Sequence, residues 1–98
     1  MDNLKSPEEI LEDNGYVIEE LTECGAVLFR TPDYSTAIVG VSEDYQIIYD
    51  YEKMVGYLTK YYNMSYDDAV DFISYNTIRT LPYINGVKPI IMYPLEQD

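Results

Sequence analysis

The sequence predicts a small α+β fold: a three-stranded antiparallel meander packed against a helical hairpin, with an N-terminal helix. Two patterns carry this. Three short β-rich runs follow one another at residues 26–30, 37–41 and 45–49, separated by turn-rich stretches. Two amphipathic helical stripes then succeed each other at 51–62 and 66–76, with only a short break between them. With 98 residues, the chain is read as one domain, residues 1–98, with no second core.

The N-terminal helix is announced by Ser6-Pro7-Glu8-Glu9. Ser6 can cap, Pro7 fits the first helical position, and Glu9 stands where a capping box places its acid. Asn14-Gly15 supplies a left-handed stop. Residues 16–24 read as a helical turn ended by Gly25, although Tyr16-Val17-Ile18 is equally compatible with a strand.

Ala26-Val27-Leu28-Phe29-Arg30, Ala37-Ile38-Val39-Gly40-Val41 and Tyr45-Gln46-Ile47-Ile48-Tyr49 are the three expected strands of the meander. Asp50 is placed to cap the next helix, whose stripe is Tyr51, Met54, Val55, Leu58 and Tyr62. Ser65 and Asp68 read as a second capping box, opening a helix with Tyr66, Ala69, Val70, Ile73 and Thr77 on one face. The run Pro89–Pro94, with proline at each end, is expected as an edge strand or an extended tail on the core.

Charge separates the function classes. Eighteen acidic residues face six Lys and Arg, with no histidine, for a net charge of −12. Such a surface repels phosphates, so direct nucleic acid and anionic membrane partners are not expected. It attracts basic protein surfaces, including those that ordinarily hold nucleic acid. The acidity can equally serve solubility alone. It is concentrated at the start: residues 1–25 hold eight acids against one lysine, a net of −7, whereas 76–98 are neutral. Glu8, Glu12, Glu19, Glu20 and Glu23 are therefore the candidate docking carboxylates.

Catalytic constellations are hard to assemble from this composition. Without histidine, and with Cys24 as the one cysteine, neither a His-based triad nor a Cys/His metal cage can form. Cys24 lies between Glu23 and Gly25, and the nearby carboxylates disfavour its thiolate, so packing is its expected role. A single cysteine cannot close an intramolecular disulfide, which fits a reducing compartment. The first seven residues contain no apolar stretch of the signal-peptide kind and no apolar run is long enough to span a bilayer, so the cytoplasm is expected. No cofactor is implied. Asp67 and Asp71, one helical turn apart with Asp68 beside them, are the sole candidates for carboxylate-dependent catalysis or Mg²⁺ binding. Their place at a helix start has the plainer explanation of complementing the helix dipole.

Arg79, one of two arginines, ends the segment Tyr75-Asn76-Thr77-Ile78-Arg79. Its expected role is a structural fork to Asp50 or Asp71, with a partner or anion contact as the alternative. Twelve tyrosines against two phenylalanines suggest amphipathic rings finishing the edges of the core, and a tyrosine-lined homodimer is a third functional reading.

The stretches Tyr49–Val55, Met64–Ile73, Tyr75–Arg79 and Leu81-Pro82-Tyr83, together with Pro32-Asp33-Tyr34 and Pro89–Met92, resemble a family of small acidic proteins from Gram-positive bacteria and their mobile elements. The likeness covers roughly residues 30–93. It implies a bacterial or phage origin and a compact α+β fold, and it brings no activity or site residues with it.

Overall fold

The computed structural model describes residues 4–95. Met1–Asn3, the first part of the segment read above for a signal-peptide stretch, lie outside them. The chain is α+β. Among the described residues the four α-helices are α1 (Pro7–Asp13), α2 (Ile18–Glu23), α3 (Tyr51–Tyr61) and α4 (Tyr66–Phe72); the strands are β1 (Ile38–Val41), β2 (Ile47–Asp50) and β3 (Ile90–Met92).

Local capping chemistry places three helix starts. Ser6 Oγ accepts from Glu9 N–H at 3.1 Å, and Glu9 Oε1 accepts from Ser6 N–H at 2.9 Å, closing the capping box. The α1 terminus is equally local, with Gly15 at φ 92 and Asn14 Nδ2 donating to Ile10 O at 2.7 Å. Asp50 Oδ1 accepts from Lys53 N–H at 3.1 Å to start α3. Ser65 Oγ accepts from Asp68 N–H at 3.1 Å to start α4. The reciprocal bond from Asp68 is not among the described hydrogen bonds, so this second motif is a serine cap rather than the full box expected. The shorter Asp side chain has less reach back to the cap than the Glu9 of α1.

The sheet departs from the expected meander. It is mixed, in the order β1-β2-β3, with β1 antiparallel and β3 parallel to the central β2. Residues 26–30 form no strand; only Ala26 makes an isolated parallel bridge, to Val87. The side of β1 where that run was expected carries no strand among the described residues, and the C-terminal run joins the other edge of the sheet, beside β2, returning through α3, α4 and the segment beyond. A parallel pair needs a crossover of this kind, which a tight hairpin cannot provide. The expected edge strand at 89–94 is therefore present as β3.

Residues 26–30 still matter to packing. Phe29 is buried, and its N–H donates to Tyr49 Oη at 3.1 Å, a side-chain bond in place of a ladder bond. The preceding turn is pinned where Val87 N–H donates to Gly25 O at 2.8 Å. A Cβ at Gly86 would stand 2.8 Å from that same carbonyl oxygen, and Gly86 has φ 104, so glycine is required there.

α3 packs on β2 with Met54, Val55, Tyr57 and Leu58 buried. Tyr57 replaces the expected Tyr62, which is exposed. α4 is shorter than its sequence stripe. It stops at Phe72 and runs into a π-helical turn, Ile73–Thr77, and then a 3₁₀ stretch, Ile78–Tyr83. Of that stripe, Ala69, Ile73 and Thr77 are buried, whereas Tyr66 is exposed. α3 and α4 touch, but with the second helix broken this way a regular helical hairpin is not established.

The first 25 residues contribute to the core: Leu11 and Leu21 join Phe29, Ile47, Leu58 and Ile73 in one buried cluster. Among the described residues, no helix is long and apolar enough to cross a membrane.

Candidate functional site

The carboxylates proposed from the sequence do not behave as one group. Glu8 is committed to the fold. Its Oε2 accepts from Arg30 Nη1 at 2.7 Å, and that hydrogen bond holds the Glu8 carboxyl below the usual carboxylate range. The pair sits at the rim of a 150 Å³ cavity walled by Leu11, Ile18, Leu21, Leu28 and Ile47. Arg30 thereby joins the loop after α2 to α1, and the charge of Glu8 is already paired within the chain.

Glu12, Glu19, Glu20 and Glu23 are different. All four are exposed, on two helices that touch each other. None takes part in an ion pair among the described residues, where the two pairs found are Arg30–Glu8 and Lys5–Asp13. Four glutamates free of cations on neighbouring short helices therefore make a local concentration of negative charge facing water.

Arg79 is exposed and has no carboxylate partner among the described ion pairs. The expected fork to Asp50 or Asp71 does not form. Asp50 is largely buried and spends its carboxylate on the α3 cap, while Asp71 faces an open groove. Cys24 also departs from expectation: it is exposed, at the end of α2, and packs in no core.

The carboxylates of α4 do not converge. Among the described residues, no group of three or more His, Cys, Asp or Glu is arranged to hold a metal ion. Asp68 and Asp71 instead lie along a 390 Å³ open groove with Met64, Phe72, Tyr75 and Asn76. These residues recur at the spacing of one helix face, carried on past Phe72 by the π turn.

The tyrosines divide into two populations. Tyr34, Tyr49 and Tyr57 are buried at the centre, not at the edges as the sequence suggested. Tyr34 meets Phe29 and Tyr49 edge-on, with ring centroids 5.8 and 6.5 Å away, and Tyr57 at 5.8 Å. Each hydroxyl has a partner: Tyr34 Oη lies 2.7 Å from Thr77 Oγ1, Tyr57 Oη donates to Asp33 Oδ1 at 3.0 Å, and Tyr49 Oη accepts from Phe29. The sequence signal for this cluster was weak, because Asp33-Tyr34-Ser35 reads as a turn. Asp33 Oδ1 does accept from Ser35 N–H at 3.0 Å, but the turn points its tyrosine inward, with φ 49. In contrast, Tyr66, Tyr75, Tyr83 and Tyr93 stand well out into solvent.

Burial raises the phenol pKa of Tyr34, Tyr49 and Tyr57, and at Tyr57 the Asp33 carboxylate pushes the same way. A group whose folded pKa is raised contributes stability below its unfolded pKa and loses it as pH rises toward the folded value. Stability should therefore fall as pH rises above about 10, where these phenols lose their protons in the unfolded chain before they do in the folded one. Tyrosinate absorbance followed together with circular dichroism checks this. Titration of all twelve tyrosines before any loss of structure would contradict it.

Neither a protein-family model, nor a curated protein, nor a solved structure matches the chain.

Proposed function

We propose that this chain is a non-enzymatic acidic module that docks on a basic protein surface. The reading rests on one observation above all: Glu12, Glu19, Glu20 and Glu23 are held in water on two touching helices, with no ion pair to neutralise them among the described residues. Carboxylates kept unpaired on ordered backbone can steer and select a positively charged partner. In its sharper form, the module imitates the charge of nucleic acid and occupies the site of a nucleic-acid-binding protein. The sequence resemblance implies a bacterial or phage origin, so a bacterial lysate is the source in which to seek such a partner.

The test is a capture experiment from bacterial lysate at low and high salt, with the Glu12→Gln, Glu19→Gln, Glu20→Gln, Glu23→Gln quadruple variant in parallel. Captured proteins should be basic, should elute with salt, and should associate about tenfold or more slowly with the quadruple variant. Any single Glu→Gln change should have little effect, because exposed charges act together and are screened over about 10 Å at 0.1 M salt. A partner that binds the folded quadruple variant with unchanged rate and salt dependence would reduce this face to a solubilising surface. Submicromolar binding of naked duplex or single strands at about 150 mM salt would overturn the acidic-module reading altogether.

A further inference from the structure

The groove on α4 and the following π turn has a composition unlike the glutamate face. Asp68, Asp71, Phe72, Tyr75 and Asn76 lie along one helix face, with Met64 at its foot, and enclose about 390 Å³ of open space. No lysine or arginine lines it. Neither aspartate belongs to an ion pair among the described residues, and Tyr75 is 66% exposed. Two apolar side chains, an exposed aromatic ring and two carboxylates along one groove make a poor site for a neutral apolar side chain, which would leave the carboxylates with nothing to bind. They equally make a poor cage for a bare metal ion, since no third carboxylate converges there.

An arginine side chain matches all of these features. Its guanidinium can stack on a tyrosine face while its N–H fork reaches a carboxylate, and its methylenes can cover Met64 and Phe72. We propose that this groove is the anchor site for an arginine presented by the partner protein. The proposal rests on the docking function argued above and deepens it: the glutamates of α1 and α2 attract a basic surface, and the groove fixes one residue of it.

Amide shift mapping with a short capped Gly/Ser peptide carrying one arginine tests the site at low ionic strength. The same peptide with citrulline, which keeps the shape but not the charge, is the control. The arginine peptide should shift amides within residues 64–76, and the citrulline peptide should not. Asp71→Asn should weaken this binding about tenfold and Tyr75→Ala about fivefold. Both residues are exposed, so unchanged thermal midpoints should accompany these losses. The quadruple glutamine variant should leave the groove shifts in place. Shifts confined to α1 and α2 would overturn the groove while leaving the docking function standing, and no shift anywhere would count against both. Equal binding of the citrulline peptide would refute cation recognition. Self-association of the protein that disappears in Arg79→Ala would put a second copy in the groove and overturn a foreign partner.

Discussion

Replacing Tyr34 with alanine should cost about 3–5 kcal/mol and leave the protein close to unfolded at room temperature. Tyr34 is 0% exposed and is the ring that touches Phe29, Tyr49 and Tyr57 together. Truncation opens a cavity where the loop before β1, the central strand and α3 meet. It also strips the hydroxyl from Thr77 Oγ1, on the π turn, at a residue only 4% exposed. Tyr34→Phe separates the two effects: it keeps the ring and should cost about 1–3 kcal/mol through the orphaned threonine. Urea denaturation of both variants measures the pair. An alanine variant within about 1 kcal/mol of the parent would mean that the aromatic cluster does not hold the fold together.

Leu58→Ala and Ile73→Ala should each destabilise by about 2–5 kcal/mol. Both side chains are fully buried, Leu58 on α3 and Ile73 where α4 passes into the π turn. They belong to the same cluster as Ile47 of β2, so either cavity has well-packed walls that cannot easily collapse. Because α3 and α4 touch, the double variant is the more informative one. Residues that share a cavity should depart from additivity by at least about 0.5 kcal/mol, whereas independent sites should add. Losses under about 0.5 kcal/mol at both single sites would show that the buried faces are wrongly assigned.

Much of the candidate docking face was legible because exposed charge is a local property. The glutamates at 12, 19, 20 and 23 lie on short helices whose apolar residues, Leu11 and Leu21, take the buried side. Glu8 was not separable from them. Its role depends on Arg30, 22 positions away, and no spacing rule links the two. The same limit applies to Arg79, whose supposed partner Asp50 was occupied by the cap of its own helix. The α4 groove was half visible: Asp68 and Asp71 stood out as a pair, but their aromatic company depends on a π turn that periodicity alone does not announce.

By itself the sequence determined the features whose energetics close within a few residues. These are the capping box at Ser6 and Glu9, the stop at Asn14-Gly15, the Asp50 and Ser65 caps, and the apolar faces carrying Leu58 and Ile73. Tertiary structure decided which run would complete the sheet. Residues 26–30 were expected beside 37–41, and 89–94 as an edge strand or a tail on the core; only the second joins, on the free side of β2. The contest was settled by contacts more than 40 residues apart: the parallel register of Tyr49 with Ile91, and the bridge of Ala26 to Val87. It was settled, too, by Phe29, whose ring enters the tyrosine cluster and whose N–H goes to Tyr49 Oη instead of to a strand. Backbone hydrogen bonds must be satisfied somewhere, but a short apolar run does not specify by which partner. Only the assembled core makes that choice, because only there does burying Tyr34 against Phe29 compete with extending the sheet.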